Sequence, residues 1–272
     1  MLIDFHTHVF PDGIAEKALE SLKAGVRNKQ GLEYQSYSDG TCGGLLDSMD
    51  ENGVDISVAM PVVTSQRQTD SINVFAAKLN AEHGDRIISF AGIFPFQEDW
   101  EAKLEEIKSA GFRGIKLHPE FQKIFIDDER SVAILQKAEA LDLIVMIHAG
   151  EDPGVITPVY CSPKRLAKAL EGLKGGKIIA AHMGGWQCWD EVEEHLIGKN
   201  VLLDVSMSMG FLPAEQCERM IKAHGADKIL FGSDSPWQKP SEVLEYLQSM
   251  DLSEEDLAKI THKNALRLLG IE

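Results

Sequence analysis

Short apolar segments alternate with segments of helical spacing along the whole chain. The apolar segments are rich in Val and Ile and about as long as a strand. Their near-continuous hydrophobicity indicates strands that are buried on both faces. The predicted strands cover residues 2–8, 55–63, 87–95, 112–119, 143–150, 177–184, 201–208 and 228–236.

The intervening segments carry apolar residues at the spacing of one helix face. Trp100, Leu104 and Ile107 form such a stripe before a glycine, and Ser162 followed by Pro163 is typical of a helix N-terminus. Eight buried strands separated by helices predict one (β/α)8 barrel, the TIM barrel of the α/β class. An open, doubly wound sheet also alternates, but no glycine-rich phosphate loop follows strand 1, which disfavours its nucleotide-binding form.

One connection, residues 9–54, is far longer than the usual short loop and helix. It contains a predicted helix near 12–25, a polar stretch over 28–44 and a second predicted helix near 43–52. Long insertions after a barrel strand lie over the active-site face and often cover it. We therefore expect an insertion after strand 1 that acts as a lid.

The length and the charge narrow the class of protein. The chain has 272 residues, with 27 Lys and Arg against 43 Asp and Glu, a formal net charge of −16. The length fits one barrel of about 250 residues, so residues 1–272 are predicted to form a single domain. The acidic balance argues against nucleic acid and anionic membranes as partners, since both need a basic footprint, and no apolar stretch is long enough to span a membrane. Four dispersed cysteines and the lack of a secretory signal predict a cytoplasmic protein with reduced thiols.

Five of the nine histidines fall at the C-terminal ends of predicted strands, and an aspartate joins them there. These residues are His6 and His8 of strand 1, His118 of strand 4, His148 of strand 5, His182 of strand 6 and Asp234 of strand 8. The C-terminal ends of barrel strands meet at one mouth, so the side chains are expected to converge. His6 and His8 also share a strand face with Asp4. The other histidines, at 83, 195, 224 and 262, lie in helical segments and are expected to be solvated.

A shared ligand would explain this cluster. Burying so many polar groups without a common purpose costs several kcal/mol. Neutral imidazoles and a carboxylate are ligands of Zn²⁺ and, with less selectivity, of Mn²⁺, Fe²⁺ or Co²⁺. The pattern therefore predicts a divalent metal site.

Four motifs resemble the amidohydrolase superfamily. They are DFHTH (4–8), HAG (148–150), AHMGG (181–185) and GSDSP (232–236). KLHP (116–119) and NALRLLG (264–270) are also similar to its amidohydrolase-related branch of metal-dependent hydrolases. That branch includes aminocarboxymuconate-semialdehyde decarboxylase and resorcylate-type decarboxylases.

The resemblance implies a role for each of these residues. His6, His8 and His148 would bind the metal, with Asp234 as a fourth ligand that also takes a proton from metal-bound water. His182 would be the neighbouring acid/base, or would orient water and developing charge. These roles suit hydrolysis, because a Lewis-acidic metal can lower the pKa of bound water from 15.7 to about 7.

Two strand-4 residues leave the number of metal ions open. Lys116 and His118 are two apart and share a face. In binuclear members of the superfamily a carbamylated strand-4 lysine bridges two metals, and Lys116 would do so if it lies deep enough. We instead expect one Zn²⁺ ion, with His118 lining the substrate pocket. Pairing of Lys116 with an acid near Asp4 or Asp204 is the alternative.

Three further residues are candidates for substrate binding. Arg67, on the loop after strand 2, is a candidate clamp for a substrate carboxylate, or else a solvated loop residue. Trp186 and Trp237 follow strands 6 and 8 at the mouth. They are candidate pocket walls, or else pack against loops.

We therefore expect a metal-dependent hydrolase acting on a C–N or C–O bond of a small carbonyl substrate, such as an amide, a cyclic amide or a lactone. A non-oxidative decarboxylase of an unsaturated or aromatic carboxylate is the main alternative. Decarboxylases of this branch tend to be longer, so 272 residues favours the hydrolase. A TatD-like metallo-phosphoesterase is a second alternative, although its strand-3 histidine and strand-4 glutamate are missing here. A homodimer is the expected assembly by resemblance.

Overall fold

A parallel strand forms within every predicted apolar segment. The computed structural model describes residues 1–155 and 158–271. Its strands are β1 (Ile3–Thr7), β2 (Ile56–Ala59), β3 (Ile87–Ser89), β4 (Ala91–Gly92), β5 (Gly114–Leu117), β6 (Ile144–Ile147), β7 (Ile178–Ala180), β8 (Leu202–Asp204) and β9 (Ile229–Leu230). One predicted segment, 87–95, supplies both β3 and β4, with the buried Phe90 between them. The order is β1-β2-β3 in one ladder and β4 to β9 in a second.

Backbone hydrogen bonds join the last strand segment to the first. The amide of Phe5 donates to the carbonyl of Phe231 at 2.9 Å, and that of His8 donates to Ser235 at 2.7 Å. Thr7 and Ser235 form a parallel bridge. The chain therefore returns to β1, as a TIM barrel requires, and the predicted fold class is confirmed.

Helices follow the strands and cover their outer faces. They are α1 (Asp12–Gln30), α2 (Cys42–Asn52), α3 (Gln66–His83), α4 (Trp100–Ser109), α5 (Pro119–Gln122), α6 (Glu129–Ala140), α7 (Pro163–Leu170), α8 (Trp189–His195), α9 (Ala214–His224), α10 (Pro240–Gln248), α11 (Glu254–Ala258) and α12 (Asn264–Leu269). The helix cap predicted at Ser162 and the apolar stripe predicted from Trp100 are both present in the structure. Ser162 accepts a hydrogen bond from Arg165 N at the start of α7, and Trp100, Leu104 and Ile107 are the buried residues of α4.

Two apolar clusters build the core. The larger one joins outward strand residues such as Ile115 and Val145 to the helices. The smaller one joins Ile3, Phe5, Val58 and Met146 from strands around the ring, so it fills the barrel interior. The C-terminal strand ends above it are left for polar side chains.

The connection 9–54 folds as α1 and α2. Helix α1 runs five residues beyond the predicted end at 25, and it stops at Gly31, whose φ of 68° is left-handed. Its action as a lid stays a prediction, as does the single domain over 1–272. Among the described residues, no helix is long and apolar enough to cross a membrane.

Candidate metal centre

The predicted histidines and Asp234 converge at the C-terminal ends of the strands. Asp234 Oδ1 lies 3.0 Å from His8 Nε2 and 3.3 Å from His6 Nε2. On the other side, His182 Nε2 lies 3.1 Å from His148 Nδ1, and the rings of His6 and His182 are stacked 5.2 Å apart. Three groups have ligand atoms that lie within 4.8 Å of one another: His6, His8 and Asp234; His6, His182 and Asp204; and His118, His148 and Asp152.

In each of four histidines, His6, His8, His148 and His182, one ring nitrogen faces the rest of the cluster. The second ring nitrogen contacts a partner outside it. The contacts are His6 Nδ1 to Asp204 Oδ2 at 2.9 Å, His8 Nδ1 to the Met60 carbonyl at 2.8 Å, His148 Nε2 to the Glu151 carbonyl at 3.1 Å and His182 Nδ1 to Ser206 Oγ at 2.9 Å. Such partners fix the tautomer and ring orientation of metal-binding histidines. With the protons on the nitrogens that contact these partners, the inner nitrogens carry lone pairs, of which that of His6 Nε2 also accepts from Lys116 Nζ. Together with the Asp234 carboxylate they form a donor set that fits a divalent cation.

The protonation states agree with that donor set. Burial, together with the nearby Lys116 ammonium, lowers the pKa of His6 to about 4. Burial alone would raise the pKa of Asp234, but His6 and His8 hold that pKa well below its usual range. At neutral pH the centre therefore presents a neutral His6 imidazole and an ionised Asp234 carboxylate, which are the metal-binding forms of these groups.

Two of the site residues have left-handed backbones. The φ angles of His182 and Asp234 are +60° and +58°, a region that non-glycine residues rarely occupy. Hydrogen bonds hold both backbones. Trp189 Nε1 donates to the carbonyl of His182 at 3.0 Å, and the amide of Asp234 donates to the carbonyl of His6 at 2.8 Å. Strain of this kind persists only where the surroundings fix it, and it aims both side chains at the centre.

Lys116 and His118 lie at the edge of the cluster. Lys116 is fully buried, and its Nζ lies 2.9 Å from His6 Nε2. The carboxylates of Asp234 and Asp204 lie near enough to favour the charged form of this amine, so its pairing with an acid in this region stays a prediction. Burial lowers the pKa of Lys116 to about 8. The ring of His118 is stacked between Phe121 at 4.0 Å and His148 at 4.1 Å.

Two expectations about polar residues are wrong. Asp4 does not join the histidines, because the pairing of β1 with β2 shifts register between Asp4 and Thr7. Its carboxylate accepts hydrogen bonds from Ser233 N and Oγ instead. His224 is buried rather than solvated, with Nε2 2.8 Å from the carbonyl of Val201.

A cavity of about 470 Å³ opens over the centre. Trp186 and Trp237 both line it, together with Lys116 and His118. The structure does not bring Arg67 to this lining: Arg67 lies in the first turn of α3, exposed, rather than on a loop. The apolar face of α1 forms much of one wall, through Ile14, Ala18, Leu22 and Val26.

Sequence reasoning missed the residues that position the histidines. Asp204 and Ser206 lie two residues apart within the seventh predicted strand, and this spacing was the available signal. Tyr34, in the polar stretch between α1 and α2, also lines the cavity, and no local pattern marked it.

Solved structures of similar fold cover the whole chain. A TIM-barrel protein of Bordetella bronchiseptica matches with a TM-score of 0.79 at 18% identity, covering 99% of this chain and 98% of that one. A 2,6-dihydroxybenzoate decarboxylase from Rhizobium gives a TM-score of 0.70 at 18% identity, and the match covers 99% of this chain and 98% of that one. A 5-carboxyvanillate decarboxylase from Novosphingobium aromaticivorans was solved with manganese and 4-hydroxy-3-methoxy-5-nitrobenzoic acid. It gives a TM-score of 0.74 at 17% identity, and the match covers 100% of this chain and 96% of that one. At these identities the likeness shows the fold.

The family is shown by sequence. No curated protein matches the chain. The family model described as amidohydrolase matches residues 3–271, which is nearly the entire length and includes every residue of the centre. Motifs, fold and family model agree, and the chain belongs to this amidohydrolase family.

Proposed function

We propose that the protein is a metal-dependent hydrolase that cleaves a C–N or C–O bond of a small carbonyl compound, namely an amide, a cyclic amide or a lactone. The observation that carries the proposal is the Asp234 carboxylate. It lies within 3.3 Å of two inward-facing imidazole nitrogens and stays ionised despite its burial. A carboxylate in that position can take a proton from water and return it to a leaving group.

The donor set supports one divalent ion held by His6, His8, His148 and Asp234. We propose Zn²⁺, for which neutral imidazole and carboxylate are ordinary ligands. The manganese in the Novosphingobium decarboxylase makes Mn²⁺ the alternative. When bound, the ion supplies Lewis acidity that polarises a carbonyl and makes a bound water acidic. The buried amine of Lys116 keeps a two-ion, carbamylated version open.

His182 complements Asp234 from the opposite side. Its Nδ1 donates to Ser206 Oγ, whose own proton goes to Asp204. Its Nε2 is therefore left as an acceptor that faces the centre. From that position His182 can orient a water molecule by accepting one of its protons, while Asp234 accepts the other.

A decarboxylase is the second candidate, and two observations favour it. Two of the similar structures are decarboxylases of aromatic carboxylates, and the cavity wall here is largely apolar. The argument from chain length for the hydrolase also weakens, since the chain covers 96% to 98% of those two decarboxylases. For a phosphoesterase, the described part of the site offers no supporting feature.

The fate of water distinguishes the two candidates. Metal-loaded protein would be incubated in H₂¹⁸O with a panel of lactones, amides and aromatic carboxylates, and the products analysed by mass spectrometry. We expect ¹⁸O in the carboxylate product of a lactone or an amide. Asp234→Asn should lower this rate at least ~100-fold, the usual contribution of a general base, and the exposed Asp47→Asn is the matched control. Release of CO₂ from a carboxylate without any ¹⁸O-labelled hydrolysis product would overturn the proposal in favour of the decarboxylase.

A further inference from the structure

The cavity over the metal centre has its charged side chains at one end. Among the residues that the structure describes, three formally charged side chains line it: Lys116, Asp152 and Asp234. The charged atom of each lies between 2.9 and 3.6 Å from a ring nitrogen of one of the clustered histidines. Away from those histidines, the described wall therefore contributes no charge of its own.

Helix α1 supplies much of the uncharged wall. Four of its residues, each four positions from the next, line the cavity: Ile14, Ala18, Leu22 and Val26. Residues at this spacing share one face of a helix, and we call them the α1 stripe. The stripe is about 18 Å long, at a rise of about 1.5 Å for each residue from 14 to 26.

The α1 stripe is distinct from the residues that anchor the helix. Ala15 and Leu19 are 1% and 4% exposed, whereas Ile14 of the stripe is 52% exposed. Ala18 and Leu22 are also only partly buried. An apolar helix face usually packs on a core, but this one faces an open cavity that continues to the metal centre. An apolar ligand in the cavity would remove this surface from water, which is favourable.

Helix α3 and the segment before it complete this part of the wall. Ile72 and Phe75 are partly buried and line the cavity, and the polar Thr64 and Gln68 beside them are neutral. Arg67, the candidate clamp for a carboxylate, is exposed and lies outside the lining. The described wall therefore offers no partner for a second charged group on a substrate, and burying a charge without a partner is costly.

We infer that the substrate carries an uncharged hydrocarbon chain or ring on its reacting carbonyl, and that the α1 stripe selects for this hydrocarbon portion. The inference rests on the proposed function for the reacting end of the substrate. A cavity of about 470 Å³ is in the range of small-molecule sites, so the carbonyl can lie at the metal centre while the hydrocarbon lies along α1. The substrate class is then a hydrophobic lactone or amide rather than a dicarboxylate or a phosphate ester.

The test measures how strongly the wall binds hydrocarbon. Hydroxamates bind a divalent metal through one small head group, so the attached chain can be varied while the head group stays the same. The series runs from acetohydroxamate to octanohydroxamate. The monohydroxamate of suberic acid has the same eight-carbon length but ends in a carboxylate. Dissociation constants would be measured by calorimetry on zinc-loaded protein.

We expect the affinity of the wild type to rise about two- to fourfold with each added methylene, which is the range for burying a CH₂ group. The terminal carboxylate should weaken binding at least about tenfold relative to octanohydroxamate, because the wall offers it no partner.

Two substitutions on the α1 stripe locate the effect. Ala18→Trp fills the cavity beside α1, so it should weaken binding of octanohydroxamate at least about tenfold and leave acetohydroxamate unchanged. Leu22→Arg supplies a positive charge, so it should reduce or reverse the penalty on the terminal carboxylate. Val74→Trp and Val74→Arg are the matched controls and should behave as the wild type, because Val74 is 71% exposed on α3 and lies outside the cavity lining.

The outcomes separate this inference from the proposed function, whose reaction the ¹⁸O experiment tests independently. If chain length makes no difference to the wild type, or if the carboxylate probe binds as tightly as octanohydroxamate, the inference is wrong and the metal chemistry stands. The same holds if the Val74 variants change the preference as much as those on the stripe. If no hydroxamate binds zinc-loaded wild type, not even acetohydroxamate, the proposed metal centre fails and the inference fails with it.

Discussion

Asp204 holds two of the site histidines at once. Its Oδ2 accepts from His6 Nδ1 at 2.9 Å, and its Oδ1 accepts from the backbone amide of His182 at 3.1 Å. Burial alone would raise its pKa, but the contacts with His6 outweigh burial and lower the pKa to about 2. Asp204 is therefore an ionised residue that is placed to orient the candidate ligands His6 and His182.

Asp204→Asn should weaken metal binding by about 10- to 100-fold, the usual effect of losing a partner behind a ligand histidine. An amide can donate as well as accept, so His6 Nδ1 is no longer compelled to carry the proton, and Nε2 is no longer reserved for the metal. Competition with a fluorescent zinc chelator measures the affinity. The exposed Asp47→Asn controls for the loss of one charge, and equal affinities for wild type and Asp204→Asn would contradict the orienting role.

The convergence of the candidate ligands was predictable from the sequence, but the residues that support them were not. His6, His8, His148 and Asp234 stand at strand ends, and the barrel topology brings strand ends together whatever the loops do. The shift in β1 register that removes Asp4 from the cluster arises from pairing with β2. Pairing between segments some fifty residues apart leaves no local sequence signal.

The short helix α5 illustrates how one element is fixed to another next to the site. Glu120 of α5 accepts hydrogen bonds from the amides of Tyr160 and Cys161 through Oε1, at 3.0 and 3.1 Å. Its Oε2 is buried and has no partner among the described residues. Burial raises the pKa of Glu120 from 4.5 to about 8. The folded protein therefore retains a proton here that the unfolded chain has already lost.

Glu120→Gln should remove a pH dependence of stability. Between pH 4.5 and 8 the folded state binds more protons at this position than the unfolded state, so the free energy of unfolding falls as pH rises through that window. Glutamine keeps the Oε1 acceptor but cannot ionise. The variant should match the wild type near pH 4.5 and exceed it at pH 9, with each pKa unit worth at most about 1.4 kcal/mol. Urea unfolding at several pH values measures this, with the exposed Glu101→Gln as control. A parallel pH dependence in both proteins would show that Glu120 is not the cause.

Helix positions were predicted better than helix ends. The predicted helix near 12–25 is shorter than α1, which continues to Gln30 although residues 27–30 include no apolar residue. A polar last turn is compatible with a helix that has solvent on that side, so a missing stripe marks the end of burial rather than the end of the helix. Arg67 belongs to the same class of error, since α3 begins one residue before it.

At the scale of the molecule, the barrel keeps its apolar residues in two layers and leaves the polar ones at one end. The interior cluster and the outer cluster account for the buried strand residues below the site. Five histidines and three carboxylates lie around the mouth of the barrel. They are His6, His8, His118, His148 and His182, with Asp152, Asp204 and Asp234. Such a set of buried polar groups opposes folding unless something bound to it compensates.

Metal binding should therefore stabilise the entire fold. A ligand that binds only the folded state stabilises it by about 2.7 kcal/mol at a hundredfold excess over its dissociation constant. We expect the melting temperature of chelator-stripped protein to rise when Zn²⁺ is added. His148→Ala, which removes an inward-facing nitrogen, should lose most of that rise. His195→Ala is the matched control, because His195 lies in α8 and outside the cavity lining, so it should keep the full rise.

The same experiment distinguishes a specific centre from zinc bound at scattered surface carboxylates, of which a chain of net charge −16 has many. Surface binding would give wild type, His148→Ala and His195→Ala the same response to zinc, and that result would remove the metal centre from this account.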